Sequence, residues 1–152
     1  MLMMKPAEVE QAILHDLVSK WVSLGLEYIS STEGIDAIYV YAASEVPGVT
    51  YVGIAFDKDG EIQYPEPVRG GGPEAINLSA SMIDILFEGL EEAQRGFEEV
   101  GIPQPTEYRV FYEIATRKLD VQLSREIIYG GSDYTPDFDG FRLWLGDRAP
   151  KL

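Results

Sequence analysis

Two stretches of the chain repeat apolar residues at three- and four-residue steps, and five others are β-branched and aromatic or alternate apolar with polar. The first pattern places an amphipathic helix over residues 6–26. Val9, Ile13, Leu17, Trp21 and Leu24 form its stripe, and Pro6 is tolerated in a first turn. A second helix is predicted over residues 79–100, with Ile83, Leu86, Leu90, Ala93, Phe97 and Val100 inward and Glu88, Glu91, Glu92, Glu98 and Glu99 outward. Gly101 supplies a left-handed cap, and Pro103 stops the helix from continuing.

Between the helices, residues 35–43 and 49–57 read as strands joined by a short turn containing Pro47. Asp57-Lys58-Asp59-Gly60 is a turn signal leading to a short third strand at 61–64. Residues 65–74, PEPVRGGGPE, read as an exposed flexible loop. Two more strands follow at 106–114 and 119–127, and in the second Leu119, Val121 and Leu123 alternate with polar residues, as one buried face requires. Thr135-Pro136 opens a short helix carrying Phe138, Phe141, Leu143 and Trp144. Consecutive strands linked by tight turns predict an α+β fold. It is one domain over residues 1–152, an antiparallel sheet of about five strands with two long helices on one face and a short C-terminal helix.

Charge sharpens this picture. Acids outnumber bases 26 to 12, a formal −14, and residues 27–99 hold fifteen acids against Lys58, Arg69 and Arg95. Nucleic acid and anionic lipid would be repelled, whereas a basic protein would be steered in. The first residues form no signal peptide, and no apolar run is long enough to span a bilayer, which together with the absence of cysteine predicts a cytoplasmic protein.

Catalytic constellations are few. With no cysteine and only His15, zinc and triad chemistry lack their ligands, and no cofactor or metal is expected. Residues 52–60, ending Asp57-Lys58-Asp59-Gly60, resemble the first motif of haloacid-dehalogenase-type phosphatases, and Asp133 with Asp137 resembles that family's late magnesium-binding acids. Such a site would pair a carboxylate nucleophile, Asp57, with Asp59 and a metal clamp. Glu61 stands where that motif has threonine, and the third strand follows too closely for a parallel crossover. A calcium loop starting at Asp57 puts its bend glycine at the fourth position instead of the sixth, and Gly70-Gly71-Gly72 lacks the Lys-Ser/Thr of a phosphate loop.

The reading that remains is recognition of a protein, with no small-molecule substrate. Tyr39 and Tyr41 alternate with Ile38 and Val40, so if the latter face the core, the tyrosines face outward. Tyr129, Asp133, Tyr134, Asp137, Phe138 and Asp139 cluster in the C-terminal segment, and rings mixed with acids suit a basic partner. Glu45, Asp59 and Glu91 are expected as rim charges around such a surface.

The order of several segments resembles the YezG-like family of bacterial immunity proteins. These segments are Ile38-Tyr39-Val40-Tyr41-Ala42, the turn ending at Gly60, the acidic helix and Pro105-Thr106-Glu107-Tyr108. Lys118-Leu119-Asp120-Val121 and the aromatic, Asp-rich stretch ending near Trp144 complete the match. It covers roughly residues 6–146 and leaves out Gly70–Gly72 and the last five residues. Members resemble antitoxins encoded beside secreted toxins, often nucleases. The resemblance therefore implies a cognate basic toxin as partner, without fixing the residues that touch it; a regulatory interaction protein whose partner is not a toxin is the alternative.

Overall fold

The computed structural model describes residues 5–29, 34–45, 48–65 and 72–151. Its elements are α1 (Pro6–Ile29), β1 (Ile35–Glu45), β2 (Val49–Lys58), β3 (Glu61–Gln63), α2 (Gly72–Val100), β4 (Glu107–Glu113), β5 (Lys118–Ser124), α3 (Pro136–Leu145) and a 3-10 turn, Gly146–Arg148. The strands form one antiparallel sheet ordered β3-β2-β1-β4-β5. The fold is α+β, as the residue patterns predict.

Each connection has a local cause. β2 and β3 are joined by the two residues Asp59 and Gly60, with φ of 53° and 86°. Positive φ at both central positions gives the turn whose twist matches a hairpin. Asp57 Oδ1 accepts the Gly60 N–H at 3.1 Å and closes it. Helix α2 begins at Gly72, earlier than the periodicity predicts, so 72–74 are helix instead of loop; residues 66–71 of that predicted loop, and Pro47 in the first hairpin, lie outside the described residues. At the other end Gly101, φ 69°, terminates α2 as expected.

Helices α1 and α2 pack on each other and cover one face of the sheet. Leu17, Val18 and Trp21 of α1 and Met82, Leu86, Leu90 and Phe97 of α2 are buried against Ile38, Val40, Ile54 and Val110. The indole N–H of Trp21 donates to the Leu86 carbonyl at 3.1 Å and ties the helices together. The inward stripe of α2 runs 82-86-90-93-97, so Ile83 and Val100, expected inward, fall on its flanks and are both 47 % exposed. The second face of the sheet is covered as well. There α3 lies over β1 and β2, with Phe141 buried against Tyr39, Tyr41, Ala55 and Ile62. The central strand β1 is thus enclosed from both sides, and its nine residues 37–45 are all buried.

Candidate functional site

Enclosure of β1 decides the fate of its tyrosines. Tyr39 and Tyr41 do point away from Ile38 and Val40, but α3 covers them, and they are 5 % and 0 % exposed. Tyr39 stacks edge-on against Trp144 at 5.6 Å and tilts against Phe111 at 5.1 Å. Tyr41 lies against Phe141 and Trp144, and Gly140 in α3 permits this approach, because a Cβ there would land in the Tyr41 ring. These two tyrosines are core residues, and the expectation that they form an outward recognition surface is corrected.

The polar ends of these rings are satisfied internally. Tyr41 Oη donates to Glu107 Oε2 at 2.7 Å and is also bonded to the Tyr129 hydroxyl. Glu107 Oε1 lies 3.2 Å from Arg109 Nε. Burial, together with the bonds to Tyr129 and Glu107, pushes the Tyr41 hydroxyl far above the ordinary tyrosine range, so it stays a donor. Tyr129 is itself buried.

Glu45, expected as a rim charge, is buried too. Its Oε2 accepts the N–H groups of Ile128 and Tyr129 at 2.7 and 2.9 Å, and its Oε1 accepts that of Gly130 at 2.8 Å. Burial alone would raise this carboxyl, but the three N–H donors outweigh it and hold the group below the usual carboxylate range. Glu45 is a brace for the chain between β5 and α3, and its assignment as a rim charge is corrected.

The C-terminal segment also presents an outward side. Tyr134 and Phe138 are 52 % and 56 % exposed, Leu143 is 41 % exposed, and Asp133 and Asp137 are exposed beside them. Asp139 is half-buried and used locally, accepting the Thr135 N–H at 2.8 Å and pairing with Arg142. The Thr135 hydroxyl makes no cap bond, and Asp139 instead reaches back to the Thr135 N–H, as the second partner of a capping box does. Burial raises Tyr51 and Tyr64, and the Asp137 charge adds to both.

The ten expected interface residues therefore separate. Asp133, Tyr134 and Asp137 are exposed near one another in the chain, and Asp139 is half-buried. Asp59 sits exposed at the end of the β2–β3 hairpin, and Glu91 lies exposed on α2, in the layer across the sheet. Tyr39, Tyr41, Glu45 and Tyr129 lie underneath. Sequence reading missed two features. Glu107 is a buried acid with no local sign of burial other than its place in an apolar strand. An apolar groove also runs between α1 and the β4–β5 hairpin, lined by Leu14, Val18, Val22, Tyr112, Leu119 and Val121, with exposed His15 on its wall.

The phosphatase-like motif stands in a setting unlike that family's. Asp57 closes a hairpin and faces Arg148 at 3.9 Å, Asp59 sits in the turn itself, and every strand pairing is antiparallel where that fold requires parallel strands. Among the described residues, no three His, Asp or Glu side chains converge as a metal-holding group, and no helix is long and apolar enough to cross a membrane. Scans against protein-family models and against curated proteins found no match to this chain.

Proposed function

We propose that this protein is an immunity-type binder, which captures a basic protein toxin, of nuclease type, in the cytoplasm and blocks it by occupying its surface. The observation that carries this reading is the outward side of the C-terminal segment. Two half-exposed rings, Tyr134 and Phe138, stand with exposed Asp133 and Asp137 around the start of α3, a helix anchored to the sheet by Phe141. Rigid aromatic anchors within an acidic rim suit a cationic partner. The net charge of −14 supplies long-range steering toward it. The resemblance to YezG-like immunity proteins points the same way, and binding of this kind asks for no catalytic group.

The test is binding kinetics against the protein encoded beside this one, at two or more salt concentrations. Asp59→Lys and Glu91→Lys should slow association and flatten its salt dependence while leaving dissociation unchanged. Phe138→Ala or Tyr134→Ala should speed dissociation by about thirtyfold, worth about 2 kcal/mol for a true anchor. Association indifferent to salt would reject electrostatic capture, and unchanged dissociation in both ring variants would move the docking surface elsewhere.

A further inference from the structure

The two edges of the sheet differ in kind. On one side β3 is three residues long and pairs only Phe56–Lys58 of β2, so that edge is stepped. β5 runs seven residues, Lys118–Ser124, without proline and in unbroken register with β4. Among the described residues no strand pairs with its other side, so a row of backbone donors and acceptors faces outward. Beside that edge lies the groove of about 650 Å³, its floor formed by Leu119, Val121 and Leu123 and its wall by α1. Leu119 is 49 % exposed there.

Charge selects the occupant. Residues 107–126 carry Glu107, Glu113, Asp120 and Glu126 against Arg109, Arg117, Lys118 and Arg125, a net of zero. The whole −14 of the molecule lies outside this hairpin. A basic partner is drawn to the acidic surfaces and gains no field here. Two copies of an acidic chain repel each other over most of their surface and can approach where local charge cancels.

We infer that β5 is a self-association edge, on which two copies pair antiparallel about a twofold axis through Val121 and join their sheets. Such an isologous contact must be self-complementary, and the β5 sequence is. Val121 is the central residue of the strand. Centring the register there sets Leu119 against Leu123 of the second copy, Asp120 against Gln122 and Lys118 against Ser124. Residues directly opposite share a face, so the apolar side chains of both grooves form one row, and no like charges oppose each other within the strand. Just outside it Arg117 faces Arg125 of the second copy, whose guanidinium is held by Glu10 and the Pro103 carbonyl. The α3 surface lies on the opposite face and stays free.

Sedimentation of the full chain from micromolar to near-millimolar concentration tests this directly. The mass should move from 16.9 kDa toward twice that value. Association should tighten with added salt, because salt screens repulsion between acidic copies; this is opposite in sign to binding of a basic partner. Leu119→Lys, at a half-exposed site, should keep the native circular dichroism and weaken association by about tenfold or more. The chain has no cysteine, so Val121→Cys should cross-link to itself on mild oxidation, whereas the more exposed Asp120→Cys, opposite Gln122, should not. A wild type that stays monomeric throughout, a folded Leu119→Lys that associates equally well, or Asp120→Cys cross-linking as fast as Val121→Cys would each overturn the inference.

Discussion

Replacing Glu45 with alanine separates a brace from a rim charge. A rim charge contributes to association rate and almost nothing to stability. Here the carboxylate receives three backbone N–H groups between 2.7 and 2.9 Å. Hydrogen bonds to a charged acceptor contribute about 1.5–3 kcal/mol each, but the three donors are not equivalent. Tyr129 is buried and would lose its partner outright, whereas Ile128 is half-buried and Gly130 exposed, so water can replace part of what they lose. The expected cost is about 3 kcal/mol, or a melting shift of roughly 6–12 °C for a chain of this size. The sign with pH follows from the lowered carboxyl. Its stabilisation is fully present above the ordinary glutamate pKa, and it fades as pH falls from there through the depressed folded value. Urea unfolding followed by tryptophan fluorescence, from neutral pH to below 4 (roughly the ordinary glutamate range), measures both. Trp144 lies in α3, which follows the braced segment, and Trp21 in the helical layer, so the two report on both faces. A loss below about 1 kcal/mol at neutral pH, or a difference between wild type and variant that does not narrow in acid, would refute the brace.

Other perturbations follow from the packing. Gly140→Ala drives a methyl into the Tyr41 ring and should cost about 1–3 kcal/mol, with loss of near-ultraviolet circular dichroism from the aromatic cluster. Leu90→Asp places an unpaired charge where the native side chain is 1 % exposed, and urea titration should show a loss of about 4 kcal/mol or more, or an unfolded chain. Asp57→Asn retains an acceptor for the Gly60 N–H, so its stability should stay within about 0.5 kcal/mol of wild type. Neither form should hydrolyse a generic phosphate ester with magnesium, and robust wild-type turnover would overturn the binder reading.

The elements were legible because each rests on local rules. Alternation marked the strands, three- and four-residue steps marked the helices, and Asp59-Gly60 marked the hairpin. Trp21, Leu86, Leu90 and Phe97 were expected to be buried, and are 0–1 % exposed. The errors lie where neighbours decide. The inward face of α2 is fixed by where it meets α1 and the sheet, so Met82 is buried and Ile83 is not. Helix α2 starts at Gly72, about two turns ahead of the predicted start at residue 79, and periodicity gives no signal there.

The candidate site shows the same division on a functional scale. Alternation in β1 correctly separates Ile38 and Val40 from Tyr39 and Tyr41, but alternation says only which residues share a face. Whether that face meets water depends on a helix about a hundred residues later in the chain, and the small residue that lets it approach, Gly140, carries no mark of its purpose in the sequence. Glu45 is hidden for a related reason. A glutamate at the end of a strand reads as solvated until the N–H groups of 128–130 are seen to converge on it. Once these residues are assigned to the interior, the outward surface that remains is small and specific. A partner meeting the second face of the sheet touches α3 and the residues just before it, where, among the described residues, the exposed rings Tyr134 and Phe138 stand with exposed acids. Loss of Tyr134 or Phe138 should therefore be felt in binding with little loss of stability, and loss of Tyr41 or Glu45 in stability first.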